Sequence, residues 1–355
     1  MLQYLGIRAH AGVGAQPPSL IQQYGQQNEF VQVDYHENTQ FIAQQVSGNP
    51  DLDFEHYTTI GGGPQWDYSG VHVGADFWMT FITDMIGFDN ARTLTTDCEE
   101  GFARESVVCP ELVLLQGFQL LDHLKSRFDN LADVDTNGVD GTISYTLDTK
   151  RRGLGDAGTF VVAVSGTYVN SYLIKSPRAL PEYYRDNAPV VRSPVAGQGP
   201  YPAPIYNDDG TRDYSQLHAE YEAAGYRNYE NFAPPIPKLR FSVPVRWMYQ
   251  GHTLGATVRF IDSYYDDSEY TIERRNLPGI DSIQFADGEK IPAWVVLDGM
   301  YGFDFDADGW KGAIEVGVLN ILDADPPAVE GPLGYEVGVH DPRGRTVYAR
   351  LKGDF

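Results

Sequence analysis

Hydrophobic and polar residues alternate with a period of two through ten separate stretches of the chain, the spacing that places successive side chains on opposite faces of a strand. The clearest runs set Val71, Val73, Ala75, Phe77, Met79 and Phe81 against His72, Gly74, Asp76, Trp78 and Thr80. Another sets Leu239, Phe241, Val243, Val245, Trp247 and Tyr249 against Lys238, Arg240, Ser242, Pro244, Arg246 and Met248. Shorter runs begin at Leu5 and Phe54, and further ones cover 139–148, 159–174, 253–260, 295–304, 311–318 and 345–355. Pro244 fits poorly, because proline cannot donate to a ladder and normally sits at a sheet edge. Two segments break the pattern: a Gln- and Asn-rich stretch through Pro50, expected as loop, and ELVLLQGFQLLDHL, whose apolar spacing predicts a short helix within a loop.

The connections between runs alternate strictly between short and long. Turns at 67–70, KRRGLGDAG, 250–251 and DADG are short, whereas the segments between the other neighbours run to about sixty residues. Antiparallel neighbours joined this way gather all tight turns at one end of the sheet and all long loops at the other. A soluble sandwich has no reason to sort connections by length, but a transmembrane barrel does, with short periplasmic turns and long extracellular loops. The predicted fold is therefore all-β, an antiparallel transmembrane β-barrel whose apolar parity meets lipid. By the same parity Asp140, Arg240, Arg246, Arg259, Asp298, Arg350 and Lys352 face the lumen, there to touch a plug or to balance one another.

Composition agrees with strands: 23 Tyr, 17 Phe and 37 Gly against 5 Met and 2 Cys. A formal net charge of -23 argues against nucleic acid held through its phosphates. No apolar window is long enough for a helical span, a test blind to strands of about ten alternating residues. Met1 leads into LQYLGIRAHAG without the basic and apolar segments of a signal peptide, so an exported protein of this sequence is expected to have more chain upstream. Cys98 and Cys109 lie close together in one polar stretch far from clustered histidines, which favours a local disulfide over a zinc site.

Chemistry-bearing motifs are few. Asp304, Asp306, Asp308, Gly309 and Glu315 match the spacing of a calcium loop, but both flanks have the strand period where that loop needs helices, and the segment reads as a turn. Asp133, Asp135, Asn137 and Gly138 read as a loop-to-strand junction. No nucleophile elbow, metalloprotease, phosphate-loop or paired-cysteine motif occurs, so no enzyme activity and no cofactor is expected. The longest loop carries Tyr201, Tyr206, Tyr214, Tyr221, Tyr226 and Tyr229, rings that would stack on a ligand or serve the loop's own packing.

At its end the chain becomes recognisable. IPAWVVLDGMYGFDFD, GAIEVGVLNILDADPPAV and HDPRGRTVYARLKGDF resemble the last three strands of TonB-dependent outer-membrane receptors. Upstream, LGIRAHAGVGAQPPSL, GNPDLDFE, GVHVGADFWMTFITDMIG, DTNGVDGTISY, GTFVVAVSGTYV and LGATVRFIDSYYDD resemble earlier strands of the family in order. The resemblance implies the C-terminal part of a plugged barrel of the 22-stranded size class, with the plug domain, TonB box and N-terminal barrel strands absent from residues 1–355. It also implies active uptake of a scarce nutrient (a siderophore, cobalamin or oligosaccharide), with TonB, ExbB and ExbD, outer-membrane lipid, the barrel-assembly machinery and a small-molecule ligand as partners. Phe355 stands where the family carries its assembly signal. The alternative functions are a passive or structural outer-membrane barrel and a soluble β-rich binding protein. An open ten-stranded sheet would leave two unpaired edges in lipid, so the chain alone is not expected to import anything.

Overall fold

The computed structural model describes residues 4–35, 38–88, 112–114, 121–176, 219–228, 233–266, 290–307, 310–329 and 334–354. The chain begins with β1 (Leu5–Gln16), helix α1 (Leu20–Tyr24), β2 (Gln26–Tyr35), β3 (Asn38–Ser47), β4 (Glu55–Tyr68) and β5 (Val71–Gly87). There follow β6 (Leu112–Leu114), β7 (Leu121–Arg127), β8 (Asp129–Asp148), β9 (Thr159–Ser176) and β10 (Ala219–Glu222). The remainder forms β11 (Leu239–Tyr249), β12 (His252–Ile261), β13 (Tyr264–Tyr265), β14 (Lys290–Ile291), β15 (Trp294–Ala307), β16 (Trp310–Leu319) and β17 (Thr346–Asp354).

One antiparallel sheet carries the fold. Its order is β1-β4-β5-β8-β9-β11-β12-β15-β16-β17, with β10 added beside β9. These ten strands are the ten alternating runs of the sequence, each paired with its neighbour in the chain order of those runs. Among the described residues β1 pairs with β4 alone and β17 with β16 alone, so each presents an open edge. The tight reversals use left-handed residues as a two-residue hairpin requires: Ser69 and Gly70 have φ of 54° and 88°, Gln250 and Gly251 of 47° and 85°.

Pro244 lies inside β11, not at an edge. It is in register with Thr257 of β12, while the pairing with β9 skips Val243 and Pro244 and resumes unshifted at Val245. The missing N–H is thus absorbed by a local gap in one ladder, and the long runs of pairs on either side hold the strand in place.

The two faces of the sheet differ in kind. On the apolar parity Phe77, Ile143, Leu254 and Val316 are exposed, at 59%, 55%, 54% and 44%. A contiguous uncovered apolar face of this extent marks a surface that meets something other than water. From Val139 to Leu147 it spans about 26 Å along β8, enough for the apolar band of a tilted barrel strand. The opposite face carries the charged and hydroxyl residues described below.

The compact cores lie elsewhere, at the end of the sheet where the long connections emerge. Leu131, Val134 and Ile174, at the ends of β8 and β9, pack with Ala223, Ala224, Ala233 and Ile236 of the following connection. The Gln-rich segment expected as loop holds α1 and the β2/β3 hairpin, and the segment expected as a short helix supplies strands β6 and β7. Together β2, β3, β7 and β6 form a four-stranded sheet with β3 and β7 parallel, unlike the antiparallel main sheet. Leu124, fully buried between Val33 and Ile42, is its core, so burial against a second loop overrides the helical spacing. Helix α1 is closed by a capping box from Ser19 and Gln22, with Ser19 Oγ accepting from the Gln22 amide at 3.2 Å.

Asp133 to Gly138 is also strand and not a junction: β8 runs unbroken through it, with a bulge between Asn137 and Gly138. Asp133 stands opposite Lys175, whose ammonium lies 2.5 Å from the Asp135 carboxylate. Asp304 and Asp306 lie in β15 and Glu315 in β16, a β-hairpin in which Glu315 faces Gly302 and Arg350. Asp308 and Gly309 lie outside the described residues.

Candidate functional site

A row of registered residues crosses the polar face, from the body of β5, β8 and β9 to the long-connection ends of β11, β12 and β15. Asp76 of β5 is opposite Asp140 of β8, Asp140 opposite Thr167 of β9, and Thr167 opposite Arg240 of β11. The row continues through Ile261 of β12 to Trp294 of β15. Residues in direct register point to the same face, so strand pairing alone brings these side chains together. One step away Arg259 forks onto Asp298, with Nε and Nη2 donating at 2.8 and 3.1 Å, and Asp298 also accepts from the Asn320 amide at 2.9 Å. Ser165 and Ser242 share a hydroxyl hydrogen bond of 3.2 Å.

Most of these side chains, though neither Asp76 nor Asp298, join Val339 and Asp341 of the last long connection in lining a concavity of about 570 Å³. Asp341 is held by Arg343, whose guanidinium donates at 2.7 to 3.1 Å and, as the main influence, keeps the carboxyl at about 2.

Beside the concavity, three long connections are tied by one buried cation. Arg227 donates Nε to Glu336 at 2.8 Å and Nη1 to Asp266 at 3.1 and 2.9 Å. Burial by itself would lower its pKa, but the bonds to Glu336 and Asp266 outweigh that and hold it above the usual value. Backbone bonds run alongside: the Arg227 amide donates to Tyr265 O at 2.9 Å, Tyr265 to Gly225 O at 2.9 Å, and Ile236 to Tyr226 O at 3.0 Å. Next to this knot, Tyr264 and His340 are almost wholly buried and share a hydrogen bond of 3.1 Å, and Trp294 packs edge-on to the imidazole. The Trp294 indole N–H and His340 Nδ1 are buried without a hydrogen-bond partner among the described residues.

Burial pushes the His340 imidazole down to about 4 from an ordinary 6.5; the Glu336 carboxylate opposes the shift and Arg240 adds to it. Above about pH 6.5 the group is neutral folded and unfolded, and its contribution is intact. As pH falls from 6.5 to 4 the unfolded chain takes up a proton that the folded one refuses, so stability drops across that window. Thermal unfolding followed by near-ultraviolet circular dichroism should show this slope, and His340→Phe should flatten it.

Of the residues singled out by pattern, the structure brings together Asp140, Arg240, Arg259 and Asp298. Arg350, 3.8 Å from Glu315, and the exposed Arg246 and Lys352 share the polar face but lie toward the tight-turn end. Tyr226 stacks obliquely on Tyr265 with centroids 5.8 Å apart, and Tyr221 belongs to β10 opposite Ile174. Cys98, Cys109, Tyr201, Tyr206, Tyr214, Tyr229 and Phe355 lie outside the described residues. Sequence reading missed Arg227, Asp266, Glu336, Trp294 and His340, whose partners are far away in the chain; no local period marks them.

A family model described as TonB dependent receptor-like, beta-barrel matches residues 3–321. The chain belongs to the TonB-dependent receptor β-barrel family. The match takes in β1 to β16, the strands that build both the polar row and the exposed apolar face. Solved TonB-dependent receptors have the same fold. The ferric enterobactin receptor PfeA of Pseudomonas aeruginosa, in one mutant form, is 12% identical with a TM-score of 0.52, over 98% of this chain and 38% of that one. A second mutant of the same receptor, in complex with enterobactin, gives 13% identity, a TM-score of 0.51 and the same coverage. The siderophore receptor PirA of Acinetobacter baumannii is 11% identical with a TM-score of 0.49, over 98% and 39% of the two chains. The chain therefore spans well under half the length of these receptors, and at such identities the likeness is one of fold. Comparison with curated proteins finds no match.

Proposed function

We propose that residues 1–355 form the C-terminal part of the wall of an outer-membrane receptor barrel, with the apolar face against lipid and the polar row toward a hydrated lumen. The parent protein, on this reading, supplies the plug and the N-terminal strands and imports a scarce nutrient with energy delivered through TonB, ExbB and ExbD. The barrel-assembly machinery recognises the closing strand β17 together with Phe355. The observation that carries the proposal is the division of one ten-stranded sheet into an uncovered apolar face and a charged face. A soluble fold would bury the first. Family membership supports the transport role, and the ferric enterobactin receptor among the structural neighbours supports the class of cargo.

Two tryptophans test the orientation. Trp247 has the apolar parity and Trp78 the polar one, so in vesicles of brominated phosphatidylcholine a variant retaining Trp247 alone should be strongly quenched and one retaining Trp78 alone should not. Equal quenching, or recovery of the folded chain from the aqueous fraction without detergent, would sink the proposal. A growth screen on the full-length parent with candidate nutrients tests the uptake role separately.

A further inference from the structure

The charges that line the concavity do not all find partners among the described residues. Of the lining charges, Arg259 is taken by Asp298 and Asp341 by Arg343. Asp140 is exposed, accepts one hydrogen bond from the Thr167 hydroxyl at 2.6 Å, and has no ion-pair partner among the described residues. Its direct cross-strand neighbour is another carboxylate, Asp76, already engaged by Arg8. Like charges in register repel, so Asp140 sits where a cation is wanted. Two strands along the same row, Arg240 is exposed and likewise without an ion-pair partner among the described residues. Strands lie about 4.8 Å apart, so the Cα atoms of Asp140 and Arg240 are separated by about 10 Å, with only the small Thr167 between them. Trp294, with its unpartnered indole N–H, lines the same concavity.

We infer that this row binds a small zwitterion of the short-peptide kind, its ammonium on Asp140 and its carboxylate on Arg240. An unpaired anion and an unpaired cation held apart by a strand's width on one rigid surface match a ligand whose own charges are separated by a few bonds of extended backbone. A volume near 570 Å³ accommodates two or three residues. Thr167, its hydroxyl committed to Asp140, orients that carboxylate, and Trp294, two strands beyond Arg240 in the same row, closes the far wall. The paired Arg259 and Asp298 fix the wall without adding net charge. The inference rests on the receptor reading only in assigning this face to the lumen.

Calorimetric titration of the 355-residue chain, folded in detergent, tests it with three probes of one length: triglycine, N-acetyl-triglycine, which lacks the ammonium, and triglycine amide, which lacks the carboxylate. Triglycine should bind in the millimolar range and each capped probe at least about fivefold more weakly. Arg240→Gln should abolish the preference over the amide and keep the preference over the acetylated probe. Asp140→Asn should do the reverse, and Arg246→Gln, on the same strand and face outside the concavity, should change neither. Strand content by circular dichroism verifies that each variant is folded.

Equal binding of the three probes, or no binding of triglycine at about 50 mM, would overturn the inference. So would a stability coupling between Arg240→Gln and Asp140→Asn in the absence of ligand, since the two groups would then satisfy each other. Binding is measured here on the isolated chain, so a failure of energised uptake by the parent would count against the receptor reading and leave this result standing.

Discussion

Arg227→Met should release three long connections at once. The guanidinium is 6% exposed and is shared by Asp266 and Glu336, 8% and 14% exposed, so its removal takes from two poorly solvated carboxylates the cation they share. Breaking a buried ionic group in this way costs about 3 to 5 kcal/mol, most of it the penalty for the orphaned charges. Local opening should then quicken exchange at the Tyr265 and Ile236 amides, which bond across the knot, by roughly a hundredfold to a few thousandfold. Amides at the centre of β12 should be unchanged, because nothing in the ten-stranded ladder depends on Arg227. Neutralising the partners in the same molecule, as Arg227→Met with Asp266→Asn and Glu336→Gln, should restore much of the protection. A triple variant as labile as the single one would show that packing, and not orphaned charge, holds the connections together.

The second large effect belongs to the apolar face. Ile143 stands near the middle of the apolar stretch of β8, flanked in register by Val73 and Val164, and is 55% exposed. Ile143→Arg places a charge at the midplane of the lipid that this face is proposed to meet, for a cost of about 2 to 4 kcal/mol. Thr142→Arg, one residue away on the other face, should cost little. Denaturant titration of both variants in lipid vesicles checks the difference, and equal destabilisation would contradict a lipid-facing Ile143.

The ten strands of the main sheet were legible in the sequence because each carries its own evidence: an alternation of period two is complete within one run and needs no partner to be seen. The sorting of short turns and long connections gave the topology for the same reason. The strand reading of Leu239–Tyr249 survived Pro244, since eleven residues of alternation outweigh one missing donor. What escaped is built from distant partners. Gln44, buried in β3, donates to Ser126 of β7 at 3.0 Å across 82 positions, and Arg227 reaches Glu336 across 109. Neither pairing leaves a local period. In ELVLLQGFQLLDHL the spacing pointed to a helix, whereas Leu124 is buried in strand β7 against Val33 and Ile42, partners about 80 to 90 positions away. The polar row was half visible: parity put Asp140, Arg240, Arg259 and Asp298 on one face, but only the register could place Asp140 and Arg240 in one row with Trp294.

The open edges of β1 and β17 turn the stability of these 355 residues in a bilayer into a matter of mass action. Among the described residues, the twelve of β1 and the nine of β17 have a ladder on one side only, and in hydrocarbon every unmet amide or carbonyl costs several kcal/mol. Folding in lipid is then inseparable from capture of the strands that cover those edges. Where these come from a separate molecule, a tenfold rise in its concentration above the dissociation constant deepens apparent stability by about 1.4 kcal/mol. The unfolding midpoint of the chain in lipid would thus be a titration curve for whatever strands cover β1 and β17.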